Sequence, residues 1–148
     1  MAKKIFNLEQ VLGFRREIEK RHTLEFAAAK EEFESAAEKL RAEEEQMDQL
    51  TLEFMDKQIK GINACEMQMY SNFLQKKQVD LTMLRDMVWL LEQTMAEKRA
   101  ELLEAAKDKK AMELLKDKKV RNYMKDEAAR ERGFLDELSL QRKGRGKR

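Results

Sequence analysis

Residues 26–54 read FAAAKEEFESAAEKLRAEEEQMDQLTLEF, and their spacing decides the fold. Phe26, Phe33, Leu40, Met47 and Phe54 stand seven apart without a slip. Ala29, Ala36, Glu43 and Leu50 follow the first four of them by three positions. Side chains recurring every 3.5 positions on average stay on one face of a helix only if that helix supercoils against a partner. The stretch is the a/d seam of a coiled coil.

Toward the N-terminus, Leu8, Val11, Arg15, Ile18 and His22 form a stripe that joins this seam through a four-residue step, which predicts a stutter. One helix is expected over about 3–60, interrupted only by Gly13, whose cost relative to alanine is about 1 kcal/mol. Gly61-Ile62-Asn63 breaks the pattern, since Gly and Asn tolerate the left-handed backbone of a helix C-cap. A turn over about 61–66 is predicted. A second seam follows, with Leu74, Leu81, Val88, Met95 and Leu102 seven apart. Tyr70, Leu84, Leu91, Ala105 and Met112 interleave, with Lys77 and Lys98 as polar exceptions. Beyond Ala106 the seam weakens to Lys109, Lys116 and Lys119. Helix two is expected over about 67–132, Gly133 to end or kink it, and residues 139–148 to form a disordered basic tail.

Two helices of similar phase joined by a short turn fold back on each other. The predicted fold is therefore all-α, a long antiparallel two-helix coiled-coil hairpin forming a single domain over 1–148. Its one-layer core leaves each seam side chain partly wet, and helix two either overshoots helix one or extends past the turn. Trp89, beside the seam, is expected to be exposed.

Composition excludes the alternatives. Of 148 residues, 41% are charged, against roughly 25% in a typical globular domain. There is no proline and there are only five glycines, too few turn formers for an all-β fold. The net charge of +2 and the periodic apolar residues argue against disorder. No apolar run approaches the ~18 residues of a membrane span, and no apolar stretch follows Lys3 and Lys4 as in a secretory signal. One cysteine, Cys65, leaves no internal disulfide framework and fits a reducing cytosol. Charge is uneven: residues 107–148 hold 15 Lys/Arg against 8 Asp/Glu, and residues 1–106 hold 16 against 21.

Catalytic chemistry is not indicated. Glu19 and His22 have the Glu-x-x-His spacing of di-iron bundles, but such a site needs two copies and the chain has one histidine. His22 reads as a polar seam residue, and no metal or cofactor is expected. Cys65 falls at the turn, roughly 60 Å along the hairpin from His22, so the two cannot form a nucleophile–base pair. Gly144-Arg145-Gly146 lacks the strand and helix context of a phosphate loop. The carboxylate runs Glu43-Glu44-Glu45 and Asp126-Glu127 read as solvated faces. The chain is read as a non-enzyme with no catalytic residues. The basic tail lacks aromatics for base stacking, so nucleic acid is not an expected partner. A scaffold whose tail binds nucleic acid or acidic membrane remains the reading from another class. Around the turn, Leu50, Leu52, Phe54, Met55, Ile59, Ile62, Met67, Met69, Tyr70, Phe73 and Leu74 cannot all face inward. They form either a protein-binding surface or a self-capping cluster.

Three segments carry a family resemblance. Phe6-Asn7-Leu8-Glu9-Gln10-Val11-Leu12-Gly13-Phe14-Arg15-Arg16 runs into the first helix, and Tyr70-Ser71-Asn72-Phe73-Leu74 follows the turn. Glu113-Leu114-Leu115-Lys116-Asp117-Lys118-Lys119, with Tyr123 and Asp126-Glu127-Ala128-Ala129-Arg130, closes the pattern. In this order and at these separations they resemble the FliJ family of the bacterial flagellar type III export apparatus, over nearly the whole length. The resemblance implies a coiled-coil stalk in the hexameric export ATPase. Such a stalk promotes ring assembly, links the ATPase to the membrane export gate and handles export chaperones. It implies a cytoplasmic location, peripheral on the inner membrane. Phe73 matches the family aromatic associated with gate binding, and where the family carries a leucine four residues on, this chain has Lys77. Tyr70, Phe54 and Leu50 are added to the gate-binding turn end on physical grounds. Phe6, Leu8, Arg15, Arg16, Tyr123 and Arg130 are assigned to the ATPase-ring end from topology. The equivalent stalk of an injectisome is the nearest alternative.

Overall fold

The computed structural model describes residues 2–146, and for residues 2, 3 and 6 it describes the backbone alone. Two helices account for the fold: α1 (Ala2–Lys60) and α2 (Ala64–Gly146). They pack as an antiparallel hairpin. Glu53, Gln46, Glu25 and His22 of α1 face Tyr70, Lys77, Lys98 and Glu101 of α2. Each step back along α1 is matched by an equal step forward along α2, and the first two steps are whole heptads.

The turn is tighter than the expected 61–66. Among the described residues, only Gly61, Ile62 and Asn63 lie outside the helices. Gly61 ends α1 with φ of 99°, the left-handed conformation that a Cβ disfavours. Asn63 does not share that role; it starts α2. Its Oδ1 accepts the Glu66 backbone N–H at 2.8 Å, and its carbonyl accepts the Met67 N–H at 3.0 Å. This is an N-cap, which satisfies donors that the first helical turn leaves unpaired. Cys65 therefore sits in the first turn of α2 and is exposed. The basic residues Lys57 and Lys60 close α1, and Glu66 opens α2, each complementing its helix dipole.

Contacts group the chain into two units. One is His22–Leu102; the other combines the described residues up to Arg21 with those from Leu103 onward. In the first, Phe26, Phe33, Leu40, Met47 and Phe54 are half-buried, and Ala29 and Leu81 are buried. In the second, Leu12 and Ala105 are buried, with Leu12 only 1% exposed. The core is one layer thick in each.

Two expectations are corrected. The predicted stutter is absent. Leu12, not Val11, is buried, so Leu8, Leu12, Arg15, Glu19, His22 and Phe26 continue the alternating four-and-three spacing without a break. The apolar side chains of Val11 and Ile18, each one position before a seam residue, hid this register in the sequence. Helix two also does not stop near 132. It begins at Ala64 and continues through Gly133, and residues 139–146 of the expected disordered tail are helical, with 147–148 outside the described residues. Gly133 has ordinary helical φ, and one helical glycine costs about 1 kcal/mol, which a long helix absorbs. From Ala128 onward every described residue is exposed, so α2 outruns the pairing supplied by α1.

Candidate protein-interaction surfaces

The turn-containing unit gathers four of the predicted turn-end residues. Phe54 and Tyr70 stack, with ring centroids 5.2 Å apart and planes 17° apart. The Tyr70 hydroxyl donates to Glu53 Oε1 at 3.1 Å, and Lys57 Nζ lies 5.1 Å from the Tyr70 ring centroid. The Tyr70 hydroxyl is also what holds the Lys57 ammonium above its usual pKa, before the smaller effects of Glu53 and Glu66. Leu50, Tyr70 and Phe73, with Met69, line an open groove of about 330 Å³.

Around the turn the residues divide by burial. Leu50, Phe54 and Tyr70 are half-buried seam members. Phe73 and Met69 are exposed, by 53% and 66%. Leu52, Met55, Ile59 and Met67 are exposed as well, so the apolar surplus around the turn is on the surface. Met69 was legible only as part of that surplus; it stands one helical turn before Phe73, and the fold adds Leu50 from α1 beside them. Trp89 is exposed, as its position beside the seam implied. On the same helix, Met83 and Met87 border a second groove, closed on the α1 side by Lys39 and Glu43.

The residues assigned to the other end are not one outward face. Leu8 and Tyr123 are half-buried in the seam. Arg15 is held there too, donating to Asp108 Oδ2 at 3.4 Å. Arg16 and Arg130 are exposed and pair locally with Glu9 and Glu127. The side chain of Phe6 lies outside the described residues.

Polar seam positions are matched in charge across the helices. Lys77 pairs with Glu43 at 2.7 Å and Lys109 with Glu19 at 2.8 Å. Lys116 pairs with Glu9. The Lys116 hydrogen bond holds the Glu9 carboxyl below its usual pKa. Glu19 raises the Lys109 ammonium, and Glu101 with Glu25 raises Lys98. Glu19 thus engages Lys109, and His22 instead faces Glu25 and Glu101 at 3.5 and 3.6 Å.

A family model described as flagellar FliJ protein matches residues 3–148. The chain belongs to the flagellar FliJ protein family. It is accordingly a component of the flagellar export apparatus, and the flagellar rather than the injectisome reading is the one this match carries. Among curated proteins and among solved structures, none matches the chain. No helix among the described residues is long and apolar enough to cross a membrane.

Proposed function

We propose that this FliJ-family chain is a non-enzymatic stalk and adaptor of the flagellar export machinery. In this reading it promotes assembly of the export ATPase ring, links the ring to the membrane export gate and engages export chaperones, at the cytoplasmic face of the inner membrane. The observation that carries the reading is the exposed Phe73–Met69 surface beside the turn. Large apolar side chains held outward on a rigid helix cost solubility unless a partner covers them. Phe73, with Tyr70, Phe54 and Leu50 supporting it, is the proposed gate contact.

The basic unit supports the ring contact. Residues 107–148 carry a surplus of Lys and Arg, and among the described residues those of α2 from Arg130 onward are exposed. Among the residues assigned to the ring, Arg16 and Arg130 are exposed and suited to direct contact. Leu8, Arg15 and Tyr123 act by holding the helix pair together.

The test is stimulation of the cognate flagellar ATPase, titrated from sub-stoichiometric ratios. A maximum near one chain per hexameric ring is expected. No stimulation at any ratio, with the protein helical and monomeric, sinks the stalk reading. The extended basic helix then favours the scaffold alternative, read out as a salt-sensitive shift with DNA or anionic vesicles.

A further inference from the structure

We propose that His22, Glu25 and Glu101 form a site for a divalent transition-metal ion, Zn²⁺ by ligand chemistry, tying α1 to α2 in the turn-containing unit. The sequence suggested no metal here, because its Glu19–His22 spacing occurs once and the chain has one histidine; Glu101, the second carboxylate, comes from the other helix. The fold brings His22 Nδ1 and one oxygen from each of Glu25 and Glu101 within 4.8 Å of one another.

The distances fit a four-coordinate ion. With zinc–ligand bonds of about 2.1 Å, neighbouring ligand atoms in a tetrahedron stand about 3.4 Å apart. His22 Nδ1 lies 3.5 Å from Glu25 Oε2 and 3.6 Å from Glu101 Oε2. A second observation points the same way. His22 Nδ1 is shut off from solvent and makes no hydrogen bond, although it faces two carboxylate oxygens. A cation held among the three atoms would give Nδ1 a partner and pair with both carboxylates. One imidazole and two carboxylates suit zinc better than magnesium or calcium, which take oxygen ligands. Water completes the fourth position.

A cation already stands near the site. Lys98 Nζ lies 3.5 Å from both Glu25 Oε2 and Glu101 Oε2. One ammonium offsets only one of the two carboxylates, whereas a dication offsets both. Lys98 is about one-third exposed, so its long stem can withdraw the ammonium into water. Lys98 is thus the competitor of the metal, which gives the proposal a readout that a plain ion-pair layer does not.

The experiment titrates Co²⁺, then Zn²⁺ in competition, into the untagged full chain carrying Cys65→Ser, which removes the one thiolate. The ligand-field absorption of four-coordinate cobalt and the thermal midpoint by circular dichroism are recorded. The expected result is a cobalt spectrum displaced by zinc, with a midpoint that rises with zinc concentration. Lys98→Met tightens binding about tenfold, the scale of one ammonium lifted from beside a dication at a wetted site. Lys98→Gln serves the same purpose if the methionine variant misfolds. His22→Gln, checked for retained helicity, weakens binding by more than the about 10–100-fold that loss of an outer partner costs. No four-coordinate spectrum in either the parent or the Lys98 variants overturns the proposal. So does binding that survives His22→Gln, which would mean carboxylates alone, or binding that weakens in the Lys98 variants.

Discussion

Tyr70 stacks on Phe54 across the two helices while its hydroxyl reaches Glu53, so one residue belongs to the seam and to the rim of the turn-end groove. Three residues along α2, Phe73 has no such inward partner and stays 53% exposed. This separates two roles that the sequence had joined.

Phe73→Ala is expected to leave thermal stability within about 0.5 kcal/mol of the parent and to weaken binding to the export gate domain. Tyr70→Ala should weaken that binding and also cost about 1–2 kcal/mol, because it removes a stacked aromatic pair and its buried area. Circular dichroism melts with a gate-binding titration distinguish them. Unfolding of Phe73→Ala would make Phe73 core and end its role as a contact.

The unbroken seam is tested by neighbours. Leu12→Ala should destabilise by about 2–4 kcal/mol in urea unfolding, as for a fully buried leucine. Val11→Ala should cost under about 1 kcal/mol, since Val11 is 39% exposed. A larger loss at Val11 than at Leu12 would restore the stutter.

At the turn, Gly61→Ala forces a Cβ into a left-handed backbone and should cost about 1–2 kcal/mol, although open space surrounds the site. Asn63→Ala removes the cap of α2 and should cost about 1 kcal/mol. Asn63→Asp should be close to neutral. Equal melts for the parent and Asn63→Ala would show that the cap contributes nothing.

Charge matching across the seam sets a pH dependence. The Glu9 carboxyl is held below its ordinary pKa by Lys116, so its stabilisation is present above the unfolded carboxyl pKa and disappears as pH falls through the lowered value. Lys109 and Lys98 are raised by their carboxylate partners. Their contributions are complete below the unfolded lysine pKa and vanish as pH rises through the raised values. The thermal midpoint of Lys109→Met should therefore lose part of the parent's decline at alkaline pH. An alkaline limb identical to the parent's would show that the Lys109 pair carries no stability.

The Glu43–Lys77 pair offers a test of register. A double-mutant cycle with Glu43→Gln and Lys77→Gln should give a coupling of about 0.5–1 kcal/mol, reduced at high salt. The charge-reversed pair, Glu43→Lys with Lys77→Glu, should be more stable than either single reversal. No rescue in the double variant would mean that the pair does not face across the seam.

The sequence by itself determined the helices, the hairpin and most of the seam. Heptad spacing is a local property, legible wherever apolar residues occupy a and d, as from Phe26 to Phe54. The same spacing failed to declare itself at Leu12 and Glu19, because the apolar neighbours Val11 and Ile18 offered a competing stripe and a glutamate reads as surface until its partner on the other helix is known. Asn63 was ambiguous for a similar reason: the residue that tolerates a left-handed turn is also the residue that caps a helix, and only the hydrogen bond to Glu66 decides. What the tertiary structure alone decided is which charges meet. Glu19 takes Lys109, and His22 meets Glu101, because antiparallel pairing brings together residues that lie far apart in the chain and whose mutual distance no one-dimensional pattern carries.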